Sequence, residues 1–175
     1  YERQETDLSV EIGGTTLNLT RRYQSLAPLA DGRFGEGWQL LGLDGNLQIN
    51  VATTGREHLG VYSPLEVGTR LYLTLPDGER VGYTFAPQPS DISGVTYYRP
   101  TWVPDAGVSY TMQSVEALLT QAGERFYDLE TGSPYNPASG LFEGYAYSLT
   151  GPDGTLYHLN AIGDLREQVS PVGDQ

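Results

Sequence analysis

TRLYLTLPDG, residues 69–78, alternates apolar and polar side chains and then ends in a turn sequence. A two-residue period is typical of a half-buried β-strand. Pro-Asp-Gly favours a tight turn, because proline presets φ and glycine accepts the left-handed conformation. LTGPDG, residues 149–154, repeats the end of this stretch. The two units therefore predict two copies of one hairpin design.

Segments with the same two-residue period recur along most of the chain. They lie at residues 6–14, 15–23, 45–52, 80–86, 144–154 and 155–161. Thirteen tyrosines against four phenylalanines suit such strands, because a tyrosine ring covers a sheet while its hydroxyl stays hydrated. We predict one all-β domain over residues 1–175, with antiparallel strands and hairpins that form a sandwich or half barrel.

At most one short helix is predicted, at SVEALLTQA, residues 114–122, with Ser114 as N-cap and Gly123 as C-cap. A pair of strands broken at Gly123 fits the same residues, since Val115 and Leu119 also suit a buried β-segment. The sequence leaves both structures open.

The chain has no cysteine, and all of its basic side chains are arginine. Disulfides, thiol nucleophiles and cysteine-rich zinc sites are therefore excluded, as are lysine Schiff bases, the P-loop lysine and lysine isopeptide bonds. The net charge is -12 and the arginines are scattered, so neither nucleic acid nor an anionic membrane is an expected partner. No apolar run approaches the roughly 18 residues of a membrane helix. The charged beginning and an end without a closing strand predict a piece of a longer polypeptide.

A longer motif lies near the N-terminus, at residues 6–40. It resembles the entry region of the RHS/YD-repeat proteins, large bacterial β-shell proteins associated with toxins and cell surfaces. The motif residues, in order, are Asp7, Leu8, Arg22, Tyr23, Ser25, Gly32, Phe34, Gly35, Gly37 and Trp38. A weaker likeness covers residues 75–87, and residues 97–126 match only loosely.

The third stretch, residues 131–171, resembles the transition into the family's repeats. Residues 145–170 resemble the first YD-type unit, with Tyr157, Gly163, Leu165 and Val169 at its pattern positions. Gly-Asp-Leu stands where the common form has Gly-Arg-Leu. The resemblance implies the start of a β-shell and secretion or a cell-surface location, with any export signal outside these residues. The family's autoproteolytic motif has no counterpart in this sequence, so cleavage is not carried over.

A cluster of aromatic residues is the first candidate binding site. Tyr97, Tyr98, Trp102 and Tyr110 lie within a short span of sequence. Exposed together, these rings would form a stacking platform for a sugar or a peptide, whereas core packing is the more common use of such rings. Trp38, between glycines, is predicted to be buried.

The two histidines and the carboxylates carry weaker signals. His58 and His158 lack a marked nucleophile, so structural or surface roles are predicted for both. Four aspartates precede glycine and are predicted to cap turns: Asp31, Asp44, Asp77 and Asp153. We predict no bound cofactor. Calcium is the alternative that abundant oxygen ligands favour, although no calcium-loop motif occurs.

Taken together, the sequence favours a non-catalytic structural and interaction module of an RHS/YD-repeat-like protein. It would contribute to or seal a β-shell, with the rest of the same polypeptide or a toxin or shell protein as partner. A carbohydrate- or peptide-binding surface module is the alternative, and a hydrolase using two carboxylates is the third hypothesis.

Overall fold

The computed structural model of the chain describes residues 1–12, 15–24, 31–32, 35–41 and 43–171. Two one-turn 3-10 helices, Glu57–Leu59 and Pro137–Ser139, lie between strands. The strands, in chain order, are β1 (Glu2–Ile12), β2 (Thr15–Gln24), β3 (Asp31–Gly32), β4 (Gly35–Glu36), β5 (Trp38–Leu40), β6 (Gln48–Ile49), β7 (Arg70–Thr74), β8 (Arg80–Phe85), β9 (Gln88–Ile92), β10 (Val95–Arg99), β11 (Trp102–Pro104), β12 (Thr111–Ser114), β13 (Leu119–Ala122), β14 (Arg125–Asp128), β15 (Tyr147–Thr150), β16 (Leu156–Leu159) and β17 (Leu165–Val169).

Antiparallel pairing joins these strands into open sheets. The N-terminal sheet has the order β1-β2-β5, and β3 pairs with β4. Three four-stranded sheets have the orders β6-β7-β8-β11, β9-β10-β13-β14 and β12-β15-β16-β17. Within the described residues no sheet closes into a barrel. The all-β prediction is confirmed.

The turn between β7 and β8 has the geometry that Pro-Asp-Gly predicts. The amide of Gly78 donates to the carbonyl of Leu75 at 2.9 Å, and the amide of Leu75 donates to the carbonyl of Glu79 at 2.8 Å. The amide of Glu79 also donates to Oδ1 of Asp77 at 3.0 Å. Gly78 has a φ of 89°, a left-handed value that glycine adopts at low cost.

The turn between β15 and β16 repeats these bonds one for one. The amide of Gly154 donates to the carbonyl of Gly151 at 3.0 Å, and the amide of Gly151 donates to the carbonyl of Thr155 at 2.8 Å. The amide of Thr155 donates to Oδ1 of Asp153 at 3.0 Å. The prediction of one hairpin design in two copies is therefore confirmed.

A third turn of this design joins β16 and β17 at the Gly163-Asp164 pair. The amide of Gly163 donates to the carbonyl of Asn160 at 3.0 Å, and the amide of Asn160 donates to Asp164 at 3.0 Å. Here the side chain of Asn160 caps the turn, accepting from Asp164 at 2.8 Å. The side-chain oxygen of Asn160, the first residue of this turn, thus accepts the kind of capping hydrogen bond that an aspartate carboxylate accepts in the other two turns.

The helix predicted at residues 114–122 is wrong, and the alternative strand pair is confirmed. Ser114 ends β12, Leu119 begins β13, and Gly123, with a φ of 65°, lies in the turn between β13 and β14. The reason is tertiary: the Ser114 hydroxyl, predicted to cap a helix, is instead buried and bonded to Trp102.

The three four-stranded sheets share one hydrophobic core. Phe85 lies near its centre, with its ring centroid 5.2 Å from Trp102, 5.6 Å from Phe126 and 6.0 Å from Tyr135. The core consists of Leu65, Leu71, Leu73, Leu75, Val81, Tyr83, Phe85, Trp102, Met112, Leu119, Phe126, Tyr135, Tyr147, Leu149, Tyr157 and Leu159. Large aromatic rings supply much of the buried apolar area that stabilises a domain of this size.

The connecting segment at residues 43–47 ties two of these sheets together. The amide of Thr74, at the end of β7, donates to the carbonyl of Gly45 at 2.6 Å. On the other side the amide of Leu47 donates to the carbonyl of Ile162 at 3.2 Å, and the amide of Leu165 donates to the carbonyl of Leu43 at 2.9 Å. The segment therefore bridges β7 and the turn before β17.

Two glycines meet where this bridge crosses the turn. A Cβ placed on Gly45 would overlap the carbonyl oxygen of Gly163. A Cβ on Gly163 would lie 2.7 Å from Cβ of Leu47. The backbones can approach this closely only because neither residue has a side chain.

We expect Gly45→Ala to destabilise the fold by about 3 kcal/mol, because the new methyl group would force rigid backbone apart. Urea unfolding followed by circular dichroism measures this loss. Gly107→Ala is the control: Gly107 has a φ of 89° and open space around it, so only a conformational cost of about 1 kcal/mol is expected. Equal losses for the two variants would contradict the close-packing argument.

Candidate functional site

In the sheet β12-β15-β16-β17, the strands β15, β16 and β17 lie side by side in chain order, and β17 is at the edge. Its inner face carries the cross-strand row Met112, Leu149, Tyr157 and Gln168. The first three of these residues are buried in the core. Gln168 continues their row on β17 but is exposed, so the sheet extends beyond the core that it covers.

β17 is the outer strand of this sheet, and within the described residues β16 is its only strand neighbour. At its first residue, the amide of Leu165 also donates to the carbonyl of Leu43. Four of its five side chains are exposed, and Val169 is 44% exposed. Its pairing with β16 includes an irregularity next to Leu159. Charged side chains and irregular pairing are features by which natural sheets limit uncontrolled edge pairing, and β17 carries Arg166 and Glu167.

The outer face of the same sheet holds a small polar cluster. Oγ of Ser148 lies 2.8 Å from Nδ1 of His158, and the imidazole stacks on the Tyr145 ring with centroids 4.2 Å apart. Glu167, across the strand from His158, accepts a hydrogen bond of 2.7 Å from the Tyr145 hydroxyl, and this bond raises the pKa of Tyr145. The contacts are those of cross-strand neighbours on a half-exposed sheet. His58, in contrast, is exposed in a 3-10 helix.

The four aromatic residues predicted as a platform are not exposed together. Trp102 is 4% exposed and Tyr97 is 5% exposed. Tyr98 packs on Phe126 at 5.2 Å, and Tyr110 packs 6.3 Å from the ring of Tyr157. Burial raises the pKa of both Tyr110 and Tyr157, and nearby Asp77 and Asp153 add to the effect. These positions correspond to the core-packing alternative.

A buried chain of hydrogen bonds satisfies the polar atoms around Trp102. Its Nε1 donates to Oγ of Ser114 at 2.8 Å, and Ser114 lies 2.9 Å from the hydroxyl of Tyr135. That hydroxyl donates to the carbonyl of Val115 at 2.8 Å. Because the tyrosine proton is used there, Ser114 donates to Tyr135. Burial raises the pKa of Tyr135 well above its usual range.

The two halves of the N-terminal motif meet between β2 and β5. Tyr23 is paired with Trp38, and the ring centroids are 5.3 Å apart. The Arg21 guanidinium lies 4.9 Å from the indole centroid. Trp38 is half-buried, so the prediction that it is buried is wrong. Its ring packs instead against Tyr23 and the Arg21 guanidinium.

The remaining motif residues occupy different positions. Arg22 donates to the carbonyl of Gly78 at 3.3 Å and so connects the N-terminal sheet to the first hairpin turn. Gly37 has a φ of 79° and Gly35 belongs to β4. Ser25 lies outside the described residues.

The turn aspartates act locally, as the sequence predicts. Asp44 accepts from the amide of Leu40 at 2.9 Å, and Asp77 and Asp153 cap their turns. The hydrogen bonds that Asp153 accepts from the amide and hydroxyl of Thr155 lower the pKa of its carboxyl. The side chain of Asp31 is outside the described part of the structure. Among described residues no three histidine, aspartate or glutamate side chains are grouped to hold a metal ion.

One partly exposed ion pair was not predicted by the sequence analysis. The Arg70 guanidinium donates to both oxygens of Asp105, at 2.7 and 2.5 Å, and lowers the pKa of that carboxyl. The pair lies over Gly82, where a Cβ would contact both side chains. Gly82, within the alternating segment at residues 80–86, was the sequence feature that could have indicated this contact. A glycine inside a strand often marks a place where another group approaches the backbone closely.

No known family model matches the chain, and neither the curated proteins nor the solved structures contain a match to it. Among the described residues no helix has the length and apolar character needed to cross a membrane.

We expect Ser114→Ala to destabilise the domain by about 2 kcal/mol, because it leaves the buried Nε1 of Trp102 without an acceptor. Urea unfolding followed by tryptophan fluorescence measures the change. The exposed Ser109→Ala serves as control and should stay within about 0.5 kcal/mol of the wild type. An equally small loss for Ser114→Ala would show that the hydrogen-bond chain is unimportant.

Proposed function

We propose that this chain is a non-catalytic structural and interaction module, and that it joins further β-structure along β17. The role corresponds to that of a segment which contributes to or seals the β-shell of an RHS/YD-repeat-like protein. The observation that carries the proposal is that β17 extends the sheet beyond the core that the sheet covers. Gln168 lies on the inner face next to three buried residues of the same row, and yet it is exposed. An edge strand in this position can pair with a further strand.

The hairpin design supports the same role. Turns of one geometry join β7 to β8, β15 to β16 and β16 to β17, and the last two extend a single sheet step by step. A sheet that adds strands in chain order can continue with the same local rules, as repeat architectures do. The partner under this proposal is the rest of the same polypeptide or a toxin or shell protein, and the setting is the cell surface or the exterior.

The competing functions have less support from the geometry. A carbohydrate platform needs exposed rings, but Trp102 and Tyr97 are buried. A hydrolase with two carboxylates needs carboxylates directed at a shared substrate, but Asp77 and Asp153 are occupied with their own turns.

Hydrogen exchange tests the proposal. The 175-residue chain is compared with the product of the complete reading frame that encodes it, and deuterium uptake is followed by mass spectrometry. We expect residues 166–169 to exchange their amide hydrogens at least about tenfold more slowly in the complete product, since a new neighbour would pair the free edge. Leu165 is left out because its amide already donates to the carbonyl of Leu43. Strand β16, paired on both sides, is the internal control and should change little.

Unchanged exchange in β17, with β16 protected equally in both samples, would overturn the proposal. Turnover of a glycan or peptide by purified protein would also count against it, because the module is proposed to act without chemistry of its own.

A further inference from the structure

An apolar groove with an acidic rim lies on a different part of the molecule from β17. It has a volume of about 530 Å³. Three segments form its walls: residues 116–118 between β12 and β13, residues 128–133 from the last residue of β14 onward, and residues 141–143 before β15. This volume is within the range of about 300–1,000 Å³ that is usual for ligand-binding clefts.

The groove is held open by well-packed structure beneath it. Phe142 packs edge to face on the buried Tyr135, with ring centroids 5.2 Å apart. The amide of Leu129 donates to the carbonyl of Leu118 at 2.7 Å and fixes two walls relative to each other. Asp128 accepts from both the amide and the hydroxyl of Thr131 at 2.8 Å, which fixes the wall at residues 128–133 internally. The site is therefore largely formed before any partner binds.

Three leucines in the walls expose apolar surface to water. Leu118 is 44% exposed, Leu129 is 45% exposed and Leu141 is 58% exposed. Single exposed leucines are ordinary on protein surfaces. Several that converge on one groove, with a rim of polar residues, are typical of an interaction site.

The charges of the groove are of one sign. Glu116, Glu130 and Glu143 lie on its rim, exposed and without an ion-pair partner among the described residues. Asp128 is the fourth carboxylate, and no arginine or histidine belongs to the lining. Arg99 lies in a neighbouring depression beyond residues 116–118. A cationic partner would gain favourable electrostatic interactions here, and an anionic one would be repelled.

We propose that this groove binds a short protein segment in which apolar side chains are flanked by lysine or arginine. The apolar side chains would contact Leu118, Leu129 and Leu141, and the cations would meet the three rim glutamates. This interaction is separate from the edge pairing of β17, because no residue of that strand lines the groove.

Fluorescence anisotropy with labelled heptapeptides tests the proposal on the 175-residue chain. The probes are KLFRLLK, its acidic counterpart ELFELLE, and the polar basic peptide KSGRSSK. We expect KLFRLLK to bind with a Kd on the order of 10 μM that weakens as salt is added, and the other two to bind at least about tenfold more weakly.

Two matched triple variants separate local from overall charge. The groove variant carries Glu116→Gln, Glu130→Gln and Glu143→Gln. The control variant carries Glu11→Gln, Glu79→Gln and Glu124→Gln, which are exposed residues away from the groove. Both lose the same charge, but only the groove variant should weaken binding of KLFRLLK, by about tenfold. Leu129→Ser should weaken it as well, with circular dichroism confirming that each variant is folded.

Three results would overturn the proposal. They are no binding of KLFRLLK, equal weakening by the two triple variants, and equal affinity for ELFELLE, which would indicate apolar attraction alone. Their outcome does not depend on exchange at β17, so this proposal and the proposed function can fail separately.

Discussion

The contact between the backbones of Gly45 and Gly163 is the constraint on which the arrangement of the sheets depends. It lets residues 43–47 lie in hydrogen-bonding distance of β7 on one side and of the turn before β17 on the other. A second backbone link lies elsewhere in the core, where the amide of Phe126 in β14 donates to the carbonyl of Leu65 at 3.0 Å. Hydrophobic packing is non-directional, whereas the backbone bonds set the position of one sheet relative to the other. The proposed β17 edge begins directly after the turn that this contact holds.

A second constraint is the repetition of one turn geometry. The turns after Leu75, Gly151 and Asn160 share their backbone bonds, although the residues that cap them differ. A repeated turn of this kind keeps strands short and directs each new strand against the last. It explains how a chain without a long helix in its described part builds three sheets around one aromatic core.

Local sequence patterns predicted the strands and the first two hairpins, because alternation and Pro-Asp-Gly act over a few residues. The cap of the third turn was not predicted, because Asn160 supplies it from a position that the Asp-Gly pattern does not cover. The helix at residues 114–122 failed for a different reason: the use of Ser114 is decided by Trp102 and Tyr135, which are distant in sequence. The groove likewise combines three separate segments, so no single stretch of sequence indicated it. Burial of Trp102 was predictable only as the more common outcome for an aromatic ring.

The bridge at residues 43–47 also sets an order of events during synthesis. The hairpins can form as soon as their own residues have left the ribosome, since their contacts are local. Gly45, however, must wait for Gly163, which is 118 positions later (163 − 45). At about 5–20 residues per second, that delay is on the order of ten seconds. Until then β7 and its neighbours lack one of their fixed contacts, so the nascent chain passes through a period in which the sheet containing β7 is formed but not yet bonded to the turn before β17.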